Sequence, residues 1–532
     1  MSSDPSSSSQ SGSRSAFMVR GARLALMGRA GALVEVLSLF LFAQMYGSET
    51  YGLFLVLWFI VQTLSIFSDF GMTLALQRFV PADEDKVNAG RILKYALSIS
   101  LGISCVVALI MTLSAPALAS LLNANERDSL QLVGIIRIYA WAIPVWCLID
   151  VTTAAIRARR VFGPEIKVRV FYEQGFRLLF GVVFYYLGYL SYGLFISHLI
   201  GLIFTAGFAL RLIDRYYGLY HLFTKTGRDK ALVRQMLTFA SSMVLPNLAR
   251  KWHSGLPLLV LNIMIPGAQG AEAAGIYGVA RKLASFINVF RESLEYVLAP
   301  LASEKNSSHD KGSLLSMFQL ATRLSVSLVI PAATLIIFYR SELMRQSGSE
   351  FLAGSLAVMI LASGRMFEAA SGPCTSILAM IGKYRLPLIN AIIGISLTAT
   401  LAIWLVPQPE LFGGGIAGHM AGAALAAVIG INATSILAHL EVRFLHDLQP
   451  YSRSILQPWF VSILISALLA IVITLAADLW RPLHFAIGLT GFIASLALLV
   501  RFGFQRDDAE MILPNKLKNK YPFLLPPETT SD

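Results

Sequence analysis

Residues 178–210 read LLFGVVFYYLGYLSYGLFISHLIGLIFTAGFAL, a run of 33 positions without one Asp, Glu, Lys or Arg. A helix needs about 20 mostly apolar residues to cross a hydrocarbon layer. The run is therefore too long for one crossing and too apolar for a soluble surface. Gly188-Tyr-Leu-Ser-Tyr-Gly193 interrupts it with turn-forming residues. The reading is two membrane helices, about 170–188 and 190–210, joined by a tight hairpin.

The same criterion, carried outward, marks further spans at 24–45, 51–77, 95–114, 131–156, 238–264, 276–302, 315–339, 352–381, 387–406, 416–440, 456–477 and 483–500. The expected fold is an all-α polytopic membrane protein of about fourteen transmembrane helices. Composition agrees. Of 532 residues 56% are hydrophobic and 14% charged, against about 25% charged in a soluble domain. Mean hydropathy is +0.65. This excludes a disordered chain. The net charge of +12 would suggest nucleic acid on a polar protein, but here it points to membrane topology, so no nucleic-acid partner is expected.

Positive charge sorts by side. The tails and the loops 78–94, 157–169, 211–234, 303–314, 382–386 and 441–455 hold most loop Lys and Arg. The opposite loops hold only Arg127, Arg340, Arg345 and Arg481. By the positive-inside rule both termini are expected in the cytoplasm of a bacterial inner-membrane protein. The Ser-rich segment 1–23 reads as a disordered tail, not a signal peptide. The basic end, 501–532, reads as a solvated tail. No outer loop exceeds about 16 residues, the mean loop being shorter still, so an external catalytic domain is not expected. Cys105, Cys147 and Cys374 sit in separate apolar runs without metal or disulfide spacing.

An internal repeat organises the spans. Tyr51-Gly52 and Tyr277-Gly278 lie 226 residues apart, and Arg160 and Lys383, each following a span, lie 223 apart. Two six-helix lobes, 24–213 and 236–440, are expected, followed by a helix pair at 456–500.

Polar residues inside spans are the candidate site. An ionisable group at the bilayer centre costs about 2.5–3.5 kcal/mol on insertion scales. Asn247, Arg250, Lys251 and Ser254 share one helical face, as do Arg281, Ser285, Asn288, Glu292 and Glu295, and Gln62, Ser65, Asp69 and Thr73. Asp69 and Glu295 correspond at the 226-residue offset. One reading is a cationic, polar cavity; the other is local pairing or snorkelling. Glu173 with Arg177 and Arg365 with Glu368 have pairing spacing, and Arg323 suits either role. His198, His253 and His419 lack motif partners, and no hydrolase, zinc or nucleotide-binding motif is found. No cofactor is expected; a proton or sodium gradient would supply any driving force.

The stretches GRAGALVEVLSLFLFAQMYGSETYGLF (28–54), FSDFGMTLALQRFVP (67–81), AGIYGVARKL (274–283) and IGKYR (381–385) resemble bacterial polysaccharide flippases. These are the O-antigen and exopolysaccharide exporters of the multidrug/oligosaccharidyl-lipid/polysaccharide superfamily. The resemblance implies transport, without enzyme chemistry, of an undecaprenyl-pyrophosphate-linked oligosaccharide by alternating access, for polysaccharide or lipopolysaccharide synthesis. Membrane lipids and polysaccharide-assembly proteins such as a polymerase are the implied neighbours. Asn247, Arg250, Lys251, Arg281 and Asn288 are then the substrate-binding candidates, because guanidinium groups suit pyrophosphate. Asp69, Glu292 and Glu295 are the ion-coupling candidates. The rivals are a drug or cation antiporter and a peptidoglycan-precursor flippase of the same superfamily, and a membrane polymerase or ligase.

Overall fold

The computed structural model describes residues 6–80, 86–159, 161, 163–218, 229–289, 291, 311–381, 383, 385–449, 451, 453–506, 508–509, 521–522 and 525–526. Among these, regular structure is helical. Ten helical segments are long and apolar enough to cross a membrane, and the chain is a multi-pass membrane protein. The main helices are α1 (Ser6–Asp69), α2 (Met72–Phe79), α3 (Lys86–Leu113), α4 (Ala115–Leu121), α5 (Glu126–Tyr139), α6 (Ala142–Ala158), α7 (Glu173–Tyr186), α8 (Ser191–Tyr217) and α9 (Lys230–Met264). They continue with α10 (Ala268–Ser285), α11 (Lys311–Phe338), α12 (Ser355–Ala370), α13 (Cys374–Met380), α14 (Arg385–Leu405), α15 (Gly415–His446), α16 (Leu456–Leu475) and α17 (Arg481–Leu498). α1 starts inside the stretch read as a tail and is interrupted at Gly47, which has φ 77° and lies between the first two expected spans.

The chain divides into two compact units. The first is Met1–Lys251 with Ile265–Gly275; the second is Trp252–Met264 with Ile276–Asp532. The boundary falls inside α9 and inside α10.

In the first unit the expected hairpin is present. α7 ends at Tyr186, Gly188 turns the chain at φ 82°, and α8 begins at Ser191. That φ is strained for any residue with a Cβ. α6 is the central helix, buried along most of its length by Ala154, Ala155, Thr152 and Thr153 among others. Small side chains let membrane helices approach closely, where no hydrophobic effect drives them together. Beside α6, Tyr139 and the Nδ1 of His198 share a 2.7 Å hydrogen bond. Phe54, Trp58 and Phe195 surround the imidazole or its tyrosine partner. At the α5 N-terminus Asp128 is buried and accepts hydrogen bonds from Thr50 (2.8 Å) and from Ser191, which ties α1, α5 and α8 together. Asn125 donates to Glu49 at 2.8 Å in the same cluster.

The repeat landmark has a packing role. A Cβ on Gly52 of α1 would lie 1.9 Å from the carbonyl oxygen of Ala271 in α10, and one on Gly275 would lie 2.0 Å from that of Ser48. The two backbones touch because both positions lack a side chain.

In the second unit α14 and α15 pack as a pair. Asn390 donates to Glu441 at 2.7 Å, and Thr434 donates to the Asn390 carbonyl at 3.2 Å. Arg323 of α11 neither snorkels nor lines a cavity. It is ion-paired to Asp508 at 2.6 Å and donates to Ser454 at 2.7 Å. Leu499, Val500, Phe504 and Ala509 pack with Leu324 and Ile465. The beginning of the C-terminal segment is thus docked rather than solvated. The physical reason is that a buried guanidinium needs a counter-ion, and Asp508 provides it.

Gly52→Ala should force the α1 and α10 backbones apart, at about 1–3 kcal/mol, the usual cost of overpacking. Thermal unfolding of the detergent-solubilised protein should show a drop of several degrees; an unchanged midpoint would contradict the close approach.

Candidate functional site

The polar faces read from sequence do find one another within each unit. In the first, Lys251 of α9 donates through Nζ to the Gln62 side chain of α1, joining two of the three stripes. Asn247 lies one turn earlier on α9 and is half-buried. Asp69 closes α1. Its carboxylate accepts from the Thr73 hydroxyl at 2.9 Å and from the Thr73 N–H at 3.3 Å, while its carbonyl accepts from Ser100 at 3.1 Å. Phe70 and Gly71, both with positive φ, form the turn that brings Thr73 back onto this carboxylate. Asp69 therefore fastens the α1–α2 corner. Ser65 is buried and donates to Val61 at 2.7 Å. The side chain of Arg250 lies outside the described residues.

In the second unit Arg281 of α10 donates to the Ser254 carbonyl of α9 at 2.5 Å, joining the stripe that ends at Ser254 to the one that begins at Arg281. The stripe on α10 is shorter than its spacing suggests. The helix ends at Ser285, and 3₁₀-like turns follow, Phe286 N–H to Leu283 O at 3.2 Å and Ile287 N–H to Ala284 O at 3.4 Å. Asn288 comes after this break. Glu292 and Glu295 lie outside the described residues.

The structure adds a cluster that the stripes do not contain. Glu368 of α12 is 6% exposed and takes two arginines: Arg365 one turn earlier, at 2.5 Å, and Arg291, at 2.9 Å. The Arg365 contact is the i,i+3 pair expected from spacing. Arg291 is the long-range addition. Two guanidinium groups thus meet at one buried carboxylate. His253, the residue before Ser254 on α9, is close enough to feel Glu368 and Arg365, and neither of its ring nitrogens has a hydrogen-bond partner among the described residues. By sequence His253 and Arg291 fall within the expected spans 238–264 and 276–302. Nothing in local spacing connects them to position 368.

The expected Glu173–Arg177 pair is not formed. Glu173 pairs instead with Arg169 at 3.4 Å, and Arg177 donates to Gln174 at 2.5 Å. Arg169 lies on the π-helical stretch Lys167–Tyr172 that leads into α7, four residues before Glu173. Arg169 also pairs with Asp150 and stacks 4.5 Å from the Trp146 ring. These contacts are structural.

Residues 41–349 match the family model described as polysaccharide biosynthesis protein. The architecture is that of several solved transporters. One is described as "Lipid II flippase MurJ, inward closed conformation", with 14% identity, TM-score 0.68, and coverage of 90% of this chain and 98% of that one. Another is an inward-facing multidrug resistance MATE family transporter of the MOP superfamily, with 14% identity, TM-score 0.64, and coverage of 80% and 99%. A MATE crystal structure in complex with MaL6 gives 15% identity, TM-score 0.59, and coverage of 80% and 96%. At such identities the likeness is one of fold. A search of curated sequences finds no match.

Glu368→Ala should remove the buried carboxylate at which Arg291 and Arg365 meet. Removing one member of a buried ion pair costs roughly 3–5 kcal/mol, so the unfolding midpoint in detergent should fall strongly. Wild-type stability in this variant would show that the two arginines reach water.

Proposed function

The chain belongs to the polysaccharide biosynthesis protein family, and from that membership we propose that it is a flippase. Its substrate, on this reading, is an undecaprenyl-pyrophosphate-linked oligosaccharide, moved across the bacterial cytoplasmic membrane by alternating access for polysaccharide or lipopolysaccharide assembly. The observation that supports the reading is a group of arginines within expected spans: Arg281 donates to the Ser254 carbonyl, and Arg291 and Arg365 meet at Glu368. Guanidinium groups attract an oxyanion and can bind it bidentately. Pyrophosphate is such an anion, and its sugar would be met by the amides of Asn247 and Asn288.

In the proposed scheme Arg250, Lys251 and Arg281 bind the headgroup, and Asp69, Glu292 and Glu295 respond to a proton or sodium gradient. Both termini face the cytoplasm, where loop Lys and Arg concentrate, and the product passes to polysaccharide-assembly proteins such as a polymerase. A second reading is a flippase for a peptidoglycan precursor. It is favoured by the fold likeness to the lipid II flippase, which extends over 90% of the chain. A drug or cation antiporter fits less well, since a cationic site repels cationic drugs.

Replacing Arg250 and Arg281 together by Ala should reduce polysaccharide export at least tenfold in a flippase-null strain while membrane abundance is kept. Normal export would remove these cations from the site. Asp69→Asn should weaken the dependence of transport on an imposed ion gradient in vesicles, and an unaltered dependence would take Asp69 out of coupling.

A further inference from the structure

One end of the first unit carries a groove that none of the groups above uses. It lies between α2, which brings Arg78 and Phe79, and α9, which brings Arg234, Thr238, Phe239 and Ser242, and it measures about 520 Å³. Phe79 and Phe239 meet edge to face, 6.1 Å apart at 75°. The Arg78 guanidinium sits 4.5 Å from the centre of the Phe239 ring. This contact orders the arginine through its flat face and leaves its N–H edge as a donor. Among the described residues no carboxylate pairs with Arg78 or Arg234, and both are exposed. Gln235 adds an amide to the lining.

The hydroxyls have a different role. Thr238 donates to the Arg234 carbonyl at 2.9 Å and Ser242 to that of Phe239 at 2.7 Å. Their hydrogens are spent within α9, and their oxygens remain as acceptors. The groove therefore combines two cations that no carboxylate among the described residues pairs with and oxygens that accept from a hydroxyl. A bare phosphate would satisfy only the first set; a phosphate that carries a hydroxylated group satisfies both.

Its position favours a lipid as the source of that phosphate. α9 has 35 residues and so rises about 52 Å at 1.5 Å per residue, against roughly 30 Å of hydrocarbon. Arg78 and Arg234 stand at the edges of the basic loops 78–94 and 211–234 expected from the sequence, where a chain passes from hydrocarbon to lipid headgroups. Arg211, Arg215 and Lys230 are exposed near the same end and add to a field that attracts anionic lipid.

We propose that this groove is a binding site for an anionic, hydroxyl-bearing lipid headgroup, with Arg78 and Arg234 on the phosphate and Thr238 and Ser242 on the hydroxyls. The site is distinct from the in-span cations and does not depend on what the chain transports.

The test is native mass spectrometry of the full-length, detergent-solubilised protein titrated with phosphatidylglycerol. Phosphatidylcholine, phosphatidic acid and water-soluble glycerol phosphate serve as the other arms. Wild type should bind phosphatidylglycerol about tenfold more tightly than phosphatidylcholine, and glycerol phosphate far more weakly than either. Arg78→Ala and Arg234→Ala should each abolish most of the preference, and Arg234→Lys should restore part of it. Thr238→Val should weaken phosphatidylglycerol but leave phosphatidic acid unchanged, a split that loss of folding cannot produce. Equal preference in wild type and both alanine variants would overturn the proposal. So would glycerol phosphate binding as tightly as the lipid, which would mean a free-anion site.

Discussion

An ionised side chain inside hydrocarbon costs several kcal/mol less when a partner meets it than when it stands alone, and the arrangement of this chain follows from meeting that demand. Arg323 reaches Asp508 and so fixes the start of the C-terminal segment on α11. Lys251 reaches Gln62 and ties α9 to α1. Arg281 reaches the Ser254 carbonyl and ties α10 to α9. Each of these three charges braces one segment of the chain against another.

The partners are unequal, and the inequality separates architecture from function. Arg323 with Asp508 is a matched pair, and Arg169 is saturated by two carboxylates. Arg281 donates to a carbonyl, and Arg291 and Arg365 meet at one carboxylate. On the proposed function these are the cations that an anionic headgroup would meet during a transport cycle. Close backbone contacts, as at Gly52 with Ala271, hold the helices in place through shape and leave the charges to this second task.

Much of this was legible in the sequence because it is local or periodic. The uncharged run 178–210 with its central glycines could only be a hairpin of membrane helices. The i,i+3 spacing of Arg365 and Glu368 gave a pair that is present, and the stripes through Gln62, Lys251, Ser254 and Arg281 named residues that do meet. What was not legible depends on distance or on a break in helical phase. Arg323 and Asp508 are 185 residues apart, and no spacing rule links Arg291 to Glu368. The end of α10 at Ser285, before Asn288, is a break that residue spacing does not announce. Glu173 takes Arg169, four residues before it, rather than Arg177, four residues after it. Helical-wheel arguments hold only as far as the helix keeps its 3.6-residue period.

The direct measurement is translocation by the purified chain in proteoliposomes. A polyprenyl-pyrophosphate-linked oligosaccharide is placed on one leaflet and its arrival on the other is read by an impermeant sugar-modifying enzyme. A flippase that recognises the anionic headgroup through its in-span cations should move this lipid at least tenfold faster than protein-free vesicles do, and a cationic dye not at all. Movement of the dye with no acceleration of the lipid would contradict it.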